Sequence, residues 1–231
     1  MSNEIEAIRQ RYHRRQQIPE ASLYDPLHPS RYMLYQEKRH ALIRWINWAN
    51  LAPVGDKRLL EIGCGSGNNL SLFMSLGFQP ENLVGNELIE DYALNARRLL
   101  PTSTEILVGD ASTLKLDDNS FDIVFQSTVF TSILDKNFQQ KLANRMWSLV
   151  KPGGGVLWYD FIFDNPKNPD VKGVSKKQIR QLFPEGNIKT WQLSLAPPIS
   201  RRVTKIHPNL YSVFNLLPFL RTHVLCWITK S

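Results

Sequence analysis

The stretch Arg58-Leu-Leu-Glu-Ile-Gly-Cys-Gly-Ser-Gly-Asn-Asn-Leu70 gathers the residues best suited to hold a ligand. It reads as a short apolar strand closed by Glu61, a turn built on Gly63, Gly65 and Gly67, and the start of a helix. Glycines leave the turn without Cβ atoms, so a ligand can approach the backbone. The helix start adds free N–H groups. Two nucleotide chemistries fit poorly. A dinucleotide turn, G-x-G-x-x-G, needs its third glycine at the sixth position, which is Asn68 here. A phosphate-binding P-loop needs Gly-Lys-Ser/Thr, which is absent. Glu61 beside the turn suits a ligand without a pyrophosphate. Taken alone, the glycines equally suit a tight strand-to-helix turn.

Three downstream positions extend the pattern. Leu83 to Glu87 reads as a second strand, and Glu87 stands about twenty residues past the glycine turn, where a βαβ unit places the carboxylate that binds ribose hydroxyls. Leu88 or Ile89 would then lie against a base. Glu105 to Val108 reads as a third strand, followed by Gly109-Asp110-Ala111. Phe121 to Phe125 is a fourth strand, and Gln126, Ser127 and Thr128 emerge at its C-terminal end, where open parallel sheets bind ligands.

Glu61 with the glycine turn, Glu87, Asp110 and the Phe121–Gln126 strand occur in the order seen in class I S-adenosylmethionine (SAM) methyltransferases, and the chain resembles that superfamily from residue 58 to about 160. The resemblance implies an α/β fold with helices on both faces of a seven-stranded sheet, order 3-2-1-4-5-7-6, strand seven antiparallel. It also implies SAM as cofactor and S-adenosylhomocysteine as product; no metal is expected, since no His/Asp/Glu cluster has ligand spacing. Cofactor contacts are then expected at Glu61, Gly63, Cys64, Gly65, Gly67, Glu87 and Leu88, with Asp110 accepting from the adenine amino group and the Ala111 N–H donating to the ring. Gln126 would meet the methionyl end. Transfer would be an in-line displacement to an O or N atom.

For the acceptor, Ser127, Thr128 and Phe130 border the expected methyl position, although Phe130 equally suits a core. Asp160, Tyr159 and His40 are candidate bases; none of the five histidines sits in a motif that declares it one. The whole chain is similar to bacterial methyltransferases of cell-surface glycan or secondary-metabolite pathways, through Phe161-Ile-Phe-Asp-Asn-Pro166 and Leu220-Arg-Thr-His223. A small-molecule or glycan-pathway acceptor is therefore expected. The alternative is tRNA or rRNA, favoured by an arginine-rich start but lacking a base-methylation motif after strand four. A SAM-binding protein without activity is the third class.

The elements that must position these residues follow from periodicity and breakers. Residues 4 to 17 read as a basic helix with Arg9, Arg11, Arg14 and Arg15, frayed and solvated. Pro19, Pro26 and Pro29 break the chain. A second helix over 33–51 buries Leu42, Trp45, Ile46 and Ala49. In the resembled family such a segment forms a lid, so Tyr32, Tyr35 and Arg39 are candidates to reach inward. Asp135 caps a helix facing inward through Phe138, Leu142 and Met146. Lys151-Pro-Gly-Gly154 reads as a structural break before a fifth strand, and Ser175 to Gln178 as a capping box. Residues 196–220 exceed what the sheet needs. They are a candidate acceptor-site cover, with Arg201 and Arg202 suited to phosphate or carboxylate, or equally a packing helix.

Length and composition agree with one α/β domain over 1–231: a helical lid segment to 57, a SAM-binding core over 58–160 and a C-terminal half with the 196–220 insertion. The net charge of +7 favours anionic partners in general. The acidic start is unlike a signal peptide, and no apolar run reaches membrane-spanning length. Cys64 and Cys226 have no metal or redox spacing, which points to a reducing cytoplasm. The oligomeric state is not set by any of these features.

Overall fold

The computed structural model describes residues 3–16, 25, 27–165 and 168–231. The breaks expected at Pro19 and Pro26, the Arg15 side chain and Pro166 lie outside the described residues.

Seven strands form one sheet in the order β3-β2-β1-β4-β5-β7-β6. They are β1 (Leu59–Ile62), β2 (Leu83–Glu87), β3 (Glu105–Val108), β4 (Phe121–Ser127), β5 (Val150–Phe161), β6 (Asn187–Leu195) and β7 (Arg221–Thr229). The first five pair in parallel, while β7 runs antiparallel to both β5 and β6. The expected order and the reversed last strand are both observed. A parallel strand would need a crossover, but β7 returns directly from the insertion.

Eight helices accompany the sheet among the described residues: α1 (Asn3–Gln16), α2 (Pro29–Trp48), α3 (Asn68–Met74), α4 (Glu90–Leu99), α5 (Lys136–Leu149), α6 (Lys176–Leu182), α7 (Pro197–Ile206) and α8 (Leu210–Asn215). Alternation along the strands divides the core. Leu60, Ile62, Val124 and Trp158 meet α1, α5 and α6 on one face. Leu59, Phe125, Leu157 and Tyr159 meet α2, α3 and α4 on the other. A smaller cluster of Leu195, Val203 and Tyr211, with Met33 against it, seats the insertion on α2.

Local chemistry sets the ends of these elements. Asp135 accepts from Phe138 N at the start of α5, and Ser175 with Gln178 completes a capping box on α6.

Two expectations are corrected. First, α1 is docked, not solvated: Ile5 and Ile8 are buried, and Arg11 pairs with Glu4 inside the fold. Its arginines do not share one environment, since Arg11 also donates to Ser132 O. Second, Lys151-Pro-Gly-Gly154 lies within β5, which starts at Val150 and shifts register against β4 between Phe121 and Ile123. Lys151 is held there by Asp122 at 2.8 Å. In the insertion, residues 197–206 form a helix, because Pro197 and Pro198 occupy its first turn, where a missing N–H costs nothing.

Candidate active site

The ends of β1, β2 and β3 converge on a cavity of about 70 Å³, at the point where the strand order reverses between β1 and β4. Gly63, Glu87, Leu88, Ile89, Asp110 and Ala111 line it from the sheet side, and Ile5, Ile8 and Tyr12 of α1 line it from above.

The glycine turn is shaped for close approach. Gly63 and Gly65 have φ of +65° and +55°, a region that glycine enters freely. A Cβ on Gly63 would strike Val129 Cγ2 at 2.6 Å, whereas around Gly65 nothing stands within 4 Å. Gly65 therefore leaves its backbone bare on that side. Gly67 serves as the left-handed N-cap of α3. Cys64 is buried, with its thiol pushed up by burial and by the Glu61 and Glu87 carboxylates, and behaves as a packing group.

Glu87 ties the turn to β2. Its Oε2 accepts from Gly65 N at 2.8 Å and its Oε1 from Ile89 N at 2.9 Å. Burial raises its carboxyl above the ordinary range, against these donors, which hold the charged form. At the end of β3, Asp110 Oδ1 accepts from Ser112 N at 2.8 Å. Two carboxylates thus line the cavity together with apolar Leu88 and Ala111.

At the other end of the turn, Glu61 is fully buried and its Oε1 accepts from Asn69 Nδ2 at 2.6 Å. Its Oε2 has no hydrogen-bond partner. Burial is the main cause that raises the Glu61 carboxyl. Lys38, from α2, donates to Asn69 Oδ1 at 2.8 Å and to Ser127 Oγ at 3.0 Å. Its ammonium lies 4.5 Å from the centre of the Tyr159 ring. Burial pushes the Lys38 amine down to about 8, partly offset by Glu61. The chain Ser127–Lys38–Asn69–Glu61 joins β4, α2, α3 and β1.

The rim residues divide into those that reach the cleft and those that do not. Thr128 adopts φ +59°, a strained conformation for a β-branched residue, and its N–H donates to Tyr159 O. Tyr159 is buried, bonds Ser194 Oγ at 2.8 Å and stacks on His223 at 5.3 Å. Asp160 does not reach the rim. It is fully buried and accepts from Phe161 N at 3.0 Å and from Thr131 N, with burial lifting its carboxyl to about 7. Phe130 is core, packed on Trp158 at 4.4 Å. Gln126 is fully buried, with Oε1 accepting from Val129 N at 3.0 Å.

Six candidates lie elsewhere. Tyr32 and Tyr35 are largely exposed, and Arg39 donates to Ser75 Oγ at 3.0 Å on the outside. His40 lines a separate groove of about 770 Å³ between α2, β6 and α8. Arg201 and Arg202 sit on α7 and line neither cavity.

Lys38, Asn69 and Glu37 are the additions that sequence reasoning missed. Lys38 had a signal: it falls four residues before Leu42 and seven before Trp45, on the buried stripe of α2. Glu37 accepts from Ser194 N, Tyr211 Oη and Asn215 Nδ2 and pins the insertion to α2.

A methyltransferase-domain family model matches residues 60–158. Residues 60–158 form a methyltransferase domain, within a sheet that has the class I SAM-dependent methyltransferase fold. The chain is 32% identical over 126 residues to phosphoethanolamine N-methyltransferase 1 of Arabidopsis thaliana, covering 53% of this chain and 24% of that protein. It is 32% identical over 124 residues to a fatty-acid O-methyltransferase of Mycolicibacterium smegmatis, covering 53% and 43%. A tRNA N(3)-cytidine methyltransferase of Gallus gallus is 30% identical over 115 residues, covering 45% and 30%. The chain thus spans less than half the length of these curated relatives. Among solved structures, a SAM-dependent methyltransferase of Archaeoglobus fulgidus shares the fold, with TM-score 0.59 at 17% identity over 86% of this chain and 99% of that one.

Proposed function

We propose that this protein is a SAM-dependent methyltransferase that transfers a methyl group to an O or N atom of a small-molecule or glycan-pathway acceptor. The observation that carries this reading is the placement of Gly63, Glu87 and Asp110 around one cavity at the sheet's reversal point, with the Gly65 N–H bonded to Glu87.

The residues present fit SAM. Glu87 has lone pairs left for two ribose hydroxyls after its two backbone bonds, since a carboxylate offers about four acceptor sites. Asp110 suits the adenine amine, a donor only, and Leu88, Ile89 and Ala111 supply an apolar slot. The unpartnered, buried Glu61 Oε2 suits a cationic amine. When bound, SAM supplies an electrophilic methyl on a sulfonium sulfur. The chain's task is then alignment, which can lower a barrier by roughly 7–11 kcal/mol in favourable cases.

Lys38 fits the base better than Asp160 does. A neutral amine has two N–H donors and one lone pair. Asn69 and Ser127 take both donors, which leaves the lone pair to accept a proton from an acceptor hydroxyl or amine. An amine lowered to about 8 is partly neutral near neutral pH. Tyr159, Ser127 and Thr128 would border the acceptor. Arg201 and Arg202 would act on it only if it extends beyond the rim.

The RNA alternative gains one point, the tRNA-acting relative, and the net charge of +7 is compatible with it. Among the described residues, no group of three or more His, Cys, Asp or Glu could hold a metal ion. No helix among them is long and apolar enough to cross a membrane. Incubation with SAM and pooled acceptor classes, read as S-adenosylhomocysteine release, tests the activity: release with hydroxyl or amine small molecules supports this reading, and release only with RNA overturns its acceptor.

A further inference from the structure

The outer surface of the 196–220 insertion is apolar and uncovered. Ile206, Leu216 and Phe219 are 79%, 74% and 76% exposed, and Val213, Phe214 and Leu217 stand out beside them. From Pro208 to Leu220 there is no charged residue. Holding the insertion in place does not require these side chains. Its inner face is already anchored by Val203, Tyr211 and Leu195 and by the bonds to Glu37. Scattered exposed leucines are ordinary, but six large apolar residues within fourteen positions form a patch of the kind that marks an interaction surface.

The charge around the patch has one sign. Arg201, Arg202 and Lys205 precede it on α7, and Arg221 follows it. No Asp or Glu occurs from Gly186 to Ser231, whereas Lys189, Arg201, Arg202, Lys205, Arg221 and Lys230 all do. An apolar tip flanked along the chain only by basic side chains is the pattern of an interfacial membrane contact, in which side chains enter the acyl boundary while lysines and arginines meet anionic headgroups. A second copy of this chain is a poorer occupant, because pairing the patch with itself would bring the same basic flanking residues together, and the one acid bonded to the insertion, Glu37, is already engaged by Tyr211, Asn215 and Ser194.

We propose that the Ile206–Phe219 face docks on an anionic lipid bilayer. Leu216 and Ser212 also line the groove between α2, β6 and α8, so a docked bilayer would lie beside that groove's mouth. Docking of this kind is peripheral and does not depend on methyl transfer.

Co-sedimentation of the full chain with vesicles tests this. Binding is expected to phosphatidylcholine vesicles containing phosphatidylglycerol, weakly to phosphatidylcholine alone, and less as salt rises. Replacing Leu217→Glu with Phe219→Glu should reduce partitioning by at least about tenfold. Replacing Arg202→Gln with Lys205→Gln should reduce it by about fivefold per charge removed. Melting curves verify that each variant is folded, and Ile206→Glu serves if the double variant is not. No binding to the anionic vesicles, equal binding to neutral ones, or full binding by the apolar-face variants would each overturn the proposal. So would self-association of the wild type that Leu217→Glu with Phe219→Glu abolishes, without vesicle binding, since the occupant would then be a second copy.

Discussion

Lys38 Nζ stands 3.0 Å from Ser127 Oγ, and this contact links the long helix before the glycine turn to the end of the strand beside it. It makes α2 part of the site. The two N–H groups of a neutral Lys38 amine would be taken by Ser127 and Asn69, and in the proposed base role its lone pair would serve the acceptor. Turnover of a hydroxyl or amine acceptor should therefore rise with pH through about 8, as burial lowers the amine to that range. In Lys38→Met that limb should disappear and kcat should fall by roughly 10²–10⁴-fold, the usual worth of acid–base catalysis. SAM affinity should change little. An unchanged pH profile in the variant would remove Lys38 from the chemistry.

Glu37 is the neighbouring residue with a different task. It accepts from Tyr211 Oη at 2.6 Å, from Asn215 Nδ2 at 2.7 Å and from Ser194 N at 2.9 Å. Glu37→Ala would strand these donors, each worth about 1–3 kcal/mol when buried. A loss of about 2–4 kcal/mol is expected, because water can reach part of the space left. Chemical denaturation measures this, and hydrogen exchange should place the loosening in α7 and α8. A variant as stable as the wild type would mean that the apolar cluster alone seats the insertion.

The sequence made the centre of the sheet legible because each signal there was local. Gly63, Gly65 and Gly67 sit at left-handed backbone positions, and Glu87 and Asp110 sit where strands end. Asp135 and Ser175 announce helix starts by their side-chain chemistry. What was not legible depends on contacts between distant segments. The arginines of α1 read as solvated because the partners of that helix, Ser132 and Leu134, are more than a hundred residues away. Glu37 reads as an ordinary surface acid until β6 and α8 fold over it. Asp160 looked like a rim carboxylate, yet the strand continues to Phe161 and the 3-10 turn at Phe130–Ser132 caps it from above.

The docking of α1 leads to a third expectation. Arg11 is paired with Glu4 in the interior, Glu4 also accepts from Leu134 N at 2.9 Å, and Ile5, Ile8 and Tyr12 of the same helix roof the cavity. Arg11→Met breaks this buried ion pair. Breaking such a pair costs roughly 3–5 kcal/mol unless the charge can escape to water, and here it escapes if α1 undocks. Amide exchange over residues 3–16 should accelerate, and SAM should dissociate faster as its roof opens. Unchanged exchange in α1 would show that its apolar contacts hold it without the ion pair.

The most direct test of the central claim is calorimetric titration of SAM into the wild type, Glu87→Ala, Glu87→Gln and Asp110→Ala. Hydrogen bonds to a charged group are worth roughly 1.5–3 kcal/mol each, so each alanine variant should lose affinity at least about tenfold. Glu87→Gln should lose less, because its amide oxygen can still accept from one of the backbone donors at Gly65 and Ile89. Melting curves without ligand separate collapse of the glycine turn from loss of contact. Wild-type protein that binds SAM and alanine variants that remain folded but bind at least tenfold more weakly are the predicted result. Wild-type affinity in both Glu87→Ala and Asp110→Ala, or no SAM binding by the wild type, would contradict it.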